Sequence, residues 1–142
     1  MSLVKLIERE EASAEVRAVY DDIMAKRDLD WINNFWKAIA NDPKTLRRTW
    51  ESLQEVMGPG CLDPLVKEMI YVAVSATNSC EYCLYSHTAA ARAKGMTEEM
   101  LGELMAVVAM ANETNRLATS YQVPVDAAFR PDHDAGEGER HT

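Results

Sequence analysis

The chain has 142 residues, 47% of them hydrophobic and 27% charged, with a formal net charge of −8. That balance describes a folded soluble protein of one domain, and its longest apolar runs fall short of the roughly 20 residues a membrane helix needs. The acidic balance excludes binding to nucleic acid through phosphate neutralisation, which requires a basic surface. The amino-terminal stretch MSLVKLIEREEASAEV shows no apolar segment followed by a small-residue cleavage site. The expected location is therefore the cytoplasm, where a close cysteine pair is more often catalytic or metal-binding than a structural staple.

Ser13 is placed to cap a helix running to about Lys26, with Val16, Val19, Tyr20 and Ile23 on one face at spacings of three and four. After the polar turn RDLD, the stretch WINNFWKAIA reads as helical and ends at Asn41. Asp42 followed by Pro43 starts the next helix, and Gly58-Pro59 ends it. The same signal returns at Asp63-Pro64, opening LVKEMIYVAVSA, a helix to about Thr77. Its uncharged run from Met69 to Thr77 predicts burial on most sides. Asn78 or Ser79 is the expected cap of a following helix that carries two cysteines and stops at Gly95. Thr97 then caps a last long helix reaching Tyr121, with Glu98 and Glu99 at the positive end of its dipole.

Although IYVAV has strand propensity, its length and flanking caps favour helix, and no alternating strand pattern, glycine-rich phosphate loop or tandem repeat occurs. The predicted fold is all-α, a helical bundle over residues 1–130. Residues 131–142, PDHDAGEGERHT, carry four acids and one arginine, a share of −3, and are expected to form a disordered tail.

Only three cysteines and three histidines occur in the chain, yet Cys80, Cys83 and His87 fall within eight positions. On a helix they share one face within about 60° of arc. A CxxC pair opening a helix has a physical reason to be redox active: free amides and the dipole favour thiolate, and the spacing permits a disulfide. His87, one turn beyond Cys83, can carry a proton near that sulfur. The carboxylate expected to join them is Glu68, the last acid before the uncharged run, with its pKa expected to be raised by burial.

The resulting pattern, E-x11-C-x2-C-x3-H, resembles the AhpD-like alkylhydroperoxidases of the carboxymuconolactone decarboxylase superfamily, best over DPLVKEMIYVAVSATNSCEYCLYSHTAAARAKG and loosely from the Trp36 helix to about Val125. The resemblance implies an AhpD-like helical bundle and a thiol peroxidase or disulfide reductase. Cys83 then matches the peroxide-attacking cysteine, Cys80 the partner that closes the disulfide, and Glu68 and His87 the proton relay. It also implies a hydroperoxide substrate, no bound cofactor, an external dithiol reductant of lipoyl or thioredoxin-like type, and a homo-oligomer, trimer or hexamer. One position departs from the pattern: AhpD has a second histidine between its cysteines where this chain has Tyr82.

Plainer readings accompany these. CxxC also supplies half of many zinc sites, and Cys61, Cys80, Cys83 and His87 hold the inventory of a Cys3His site in a zinc-stabilised interaction protein. A decarboxylase-like lactone enzyme on the same fold is a further alternative. Taken singly, His87 reads as an ordinary half-buried histidine and Glu68 as a surface acid beside Lys67; their joint spacing promotes both. Cys61 is expected to be a buried or idle thiol, and His133 and His141 to take no part in catalysis.

Overall fold

Ser13, Asp42, Asp63 and Thr97, read as helix starts from the sequence, open four of the six α-helices in a computed structural model of the protein, which describes residues 1–130. The six are α1 (Ala14–Arg27), α2 (Asn34–Ile39), α3 (Pro43–Met57), α4 (Pro64–Thr77), α5 (Glu81–Ala93) and α6 (Glu98–Ser120), with short 3-10 turns at Arg9–Glu11 and Ala127–Phe129. No strand occurs among the described residues, so the fold is all-α as predicted. No helix among them is long and apolar enough to cross a membrane. The acidic tail at 131–142, with His133 and His141, lies outside the described residues.

The chain divides into two compact units, Met1–Lys67 and Glu68 onward. In the first, the Ser13 hydroxyl accepts from the Val16 amide and opens α1, and the predicted face of Val16, Val19, Tyr20 and Ile23 is the buried one. The Asp42 carboxylate opens α3 by accepting from the Lys44 amide (3.3 Å) and the Thr45 hydroxyl (2.7 Å). Tyr20, Ile23 and Leu46 are fully buried, and Trp36 meets Trp50 edge to face at 5.5 Å, the geometry that ring quadrupoles favour. Each such aliphatic side chain stabilises the fold by about 1.5–3 kcal/mol.

Polar groups at the edge of this core have partners. The Trp50 indole donates to Asp22 (2.7 Å) and the Tyr20 hydroxyl to the Ile7 carbonyl (2.9 Å). Burial, with the charge of Glu8, pushes the Tyr20 phenol up to about 12.

The second unit is built differently. Its buried residues are Glu68, Val72 and Ser75 along one stripe of α4, Ala91 on α5, and Met96 beyond it. The uncharged run of α4 is not buried on most sides as expected: Ile70 and Val74 are about half exposed. α6 buries none of its 23 residues, and Val107, Met110 and Leu117 stand in solvent. Its side-chain tie to α4 is the Asn112 amide donating to the Thr77 hydroxyl (3.1 Å).

Two helix endings position the site. α4 ends with Ser79 in the left-handed conformation (φ 57°), the Cys80 amide donating back to the Ser75 carbonyl and the Ser79 amide to Ala76. α5 ends the same way through Gly95 (φ 105°), with Met96 donating to Ala91 and Gly95 to Arg92. Both are paired-bond terminations in which one left-handed residue lets two orphan carbonyls be satisfied.

Candidate active site

Cys80 follows immediately on the left-handed Ser79 and is itself the N-cap of α5. The expected caps, Asn78 and Ser79, are already used in finishing α4, so the role passes to the cysteine. Its sulfur accepts from the Cys83 amide at 3.3 Å, and the two cysteines form a disulfide with Cα atoms 5.3 Å apart. Cys80 thus lies at the edge of the helix and Cys83 in its first turn, where free amides and the dipole stabilise negative charge on sulfur.

One turn after Cys83, His87 presents Nδ1 to Glu68 Oε2 at 2.7 Å. The other carboxylate oxygen accepts from the Lys94 ammonium at 3.2 Å. The Glu68 side chain is 8% exposed and those of His87 and Lys94 are 19% and 41% exposed, so the carboxylate is enclosed while both partners reach toward water.

Here the sequence expectation is corrected. Burial does push the Glu68 carboxyl upward, but hydrogen bonds from His87 and Lys94, together with the Lys94 and His87 charges, outweigh it and hold the pKa below the ordinary value of 4.5. Glu68 is therefore an anion at neutral pH. A carboxylate can only accept, so the short contact requires a proton on His87 Nδ1, and in a neutral ring that is the one proton. Nε2 is then the ring's lone-pair nitrogen.

Tyr71 completes the arrangement by stacking on the imidazole, with centroids 3.6 Å apart and planes inclined by 16°. Glu68 and Tyr71 are three residues apart on α4 and so reach His87 from one side of that helix. The structure therefore brings Glu68 and His87 together and joins Cys80 to Cys83. It adds Lys94 and Tyr71, which the sequence reading missed. The signal for Lys94 was present: it follows His87 by seven residues, two helical turns along the same face.

A cavity of about 650 Å³ opens on the Cys80 side, lined by apolar Leu84, Leu101 and Met105 with Arg92 among its polar residues. Arg92 is held there by a two-point ion pair with Glu98 (2.9 and 3.2 Å). Tyr82 is about two-fifths exposed. Cys61 is an exposed free thiol instead of the buried one considered from the sequence. Among the described residues, no group of three or more His, Cys, Asp and Glu side chains is disposed to hold a metal ion.

Among the described residues the chain is thus an all-helical protein with a CxxC disulfide at a helix start and a carboxylate–imidazole pair whose histidine lies one turn further on. Residues 43–126 match the carboxymuconolactone decarboxylase family. The crystal structure of the alkylhydroperoxidase AhpD core from Rhodospirillum rubrum superposes with a TM-score of 0.89 and is 54% identical, covering 93% of this chain and 99% of that one. No curated protein matches. The chain belongs to the carboxymuconolactone decarboxylase family and is AhpD-like within it. Covering 93% of the chain, the likeness extends beyond the stretch from the Trp36 helix to about Val125, outside which residues 1–30 were expected to fall.

Proposed function

We propose that the protein is a thiol-dependent peroxidase and disulfide reductase that reduces hydroperoxides and is recycled by an external dithiol. The observation that carries this reading is the Cys80–Cys83 disulfide at the start of α5 with the Glu68–His87 pair one turn away. In the reduced protein, His87 Nε2 takes the proton of the Cys83 thiol, directly or through a water. The thiolate attacks the O–O bond, leaving Cys83 as a sulfenic acid and releasing an alcohol or water once the departing oxygen is protonated. The Cys80 thiol then displaces water from the sulfenic acid and the disulfide closes.

Two electrons are still owed to the protein at that point. A dithiol of lipoyl or thioredoxin-like type supplies them by exchange, itself becoming a disulfide. The net change is hydroperoxide plus dithiol giving alcohol, water and disulfide, with no bound cofactor. The apolar cavity beside Cys80 suits the hydrocarbon part of an organic hydroperoxide. The exposed apolar side chains of α4 and α6 supply surface for a homo-oligomer, trimer or hexamer, acting in the cytoplasm.

The test is a thiol count on the reduced protein before and after one equivalent of cumene hydroperoxide, with mass mapping of the peptide spanning 78–95. Rapid loss of two thiols and a Cys80–Cys83 disulfide is expected. Unchanged thiols would overturn the reading.

A further inference from the structure

Three cations lie close to the site in sequence, and only one serves Glu68. The Lys67 ammonium donates to the carbonyls of Val56 (2.8 Å) and Gly58 (2.6 Å), and Arg92 is engaged by Glu98. Lys94 remains, and it donates to Glu68 Oε1 while His87 occupies Oε2. Its backbone is held at the C-cap of α5 by bonds from its own amide to the carbonyls of Ala90 and Ala91, immediately before the left-handed Gly95.

We propose that Lys94 is a positioning residue of the thiol site: its ammonium fixes the Glu68 carboxylate in orientation and charge so that it captures the Nδ1 proton of His87, leaving Nε2 to accept the Cys83 proton. The proposal rests on the reading of Cys83 as the attacking thiol. Its physical logic is that of any carboxylate orienting a catalytic imidazole, with one addition. A carboxylate this enclosed is pushed toward its neutral acid by desolvation. As an acid it can donate to Nδ1, which drives the ring proton to Nε2 and removes the base. The Lys94 ammonium opposes that outcome by charge and hydrogen bond together.

Among the described residues, the charged or titratable partners of this pair are His87 and Lys94 at the two oxygens of Glu68 and Tyr71 on the face of the imidazole. Tyr71 restricts the ring to one plane, and Lys94 selects which of its nitrogens carries the proton. The two constraints act on different degrees of freedom.

The test uses reduced full-length protein as wild type, K94M and K94R, reading the ¹⁵N resonances of His87 and the ¹³C carboxyl resonance of Glu68 across pH. In the wild type, neutral His87 is expected in the Nδ1–H form alone. In K94M, the Glu68 carboxylate is expected to take its proton at higher pH, neutral His87 to become a mixture of tautomers, and hydroperoxide consumption to fall about tenfold. K94R, which keeps the charge, is expected to restore the wild-type tautomer and most of the rate. A K94M protein with wild-type tautomer and carboxyl titration would overturn the proposal. Because those resonances are read without turnover, a wild type inert toward hydroperoxide would count against the proposed function while leaving the Lys94 test intact.

Discussion

The two units of this chain use burial for opposite ends. In Met1–Lys67, the fully buried side chains are Tyr20, Ile23 and Leu46, and the aromatic pair Trp36–Trp50 seals them. In the unit from Glu68 onward, a carboxylate is more deeply enclosed than most of the aliphatic side chains, while Ile70, Val74, Val107 and Met110 stand half exposed or more. Burying apolar surface stabilises a fold, and enclosing an ionised acid costs stability unless partners repay it. The first unit therefore buries what stabilises it, and the second encloses a charge that its partners must stabilise.

Substitutions in each unit test that contrast. The largest effect is expected from Cys83→Ser, which should abolish hydroperoxide consumption in a peroxide-decay assay while leaving the helical content by circular dichroism unchanged. Full multiple turnover by this variant would sink the chemical role given to the second unit. Glu68→Gln should come next, lowering turnover about a hundredfold, because the amide cannot replace the charge that orients His87.

In the first unit the order of effects inverts. Leu46→Ala should cost about 2–5 kcal/mol in denaturant unfolding through the cavity it leaves, with the thiol reactivity of the folded protein unaltered. The unfolding experiment has its own pH signature. The folded Glu68 carboxyl has a depressed pKa, so its contribution is present above the ordinary value of 4.5 and is lost as pH falls through the folded value. Glu68→Gln should therefore flatten the acid limb of a stability–pH profile.

The smallest expected effect is Ser79→Gly. It relieves a left-handed non-glycine residue and should stabilise the protein by about 1 kcal/mol, measured as a shift in unfolding midpoint.

Legibility in the sequence followed locality. The α1 face of Val16, Val19, Tyr20 and Ile23 was readable because periodicity and the Ser13 cap both lie within one helix. The Asp42-Pro43 and Asp63-Pro64 starts were readable for the same reason, and the Leu65 amide does donate to Asp63 (2.8 Å). The cap at Cys80 was not, because the residue types at 78 and 79 favour capping α5 and nothing local reveals that α4 ends on them. The exposure of Ile70 and Val74 was missed because an uncharged run gives no sign of which side meets a neighbour.

The site divided along the same line. Cys80, Cys83 and His87 announce themselves by spacing on one helix. The charge state of Glu68 depends on His87 and Lys94, 19 and 26 residues away, and Tyr71 offers only an aromatic ring at helical spacing. Burial alone predicted the wrong direction for the Glu68 pKa, since Lys94 was out of view and the hydrogen bond from His87 was not weighed against desolvation.

Gly95 carries a consequence for how freely this sequence can drift. A β-carbon built there would meet nothing within 4 Å, so the position tolerates bulk; its φ of 105° is what a side chain resists. Any replacement has to redraw the turn that holds Lys94, and a substitution with no polar atom of its own would then alter the electrostatics of a carboxylate it never touches. Along the lineage of such chains, that glycine and the lysine before it should be inherited as a pair.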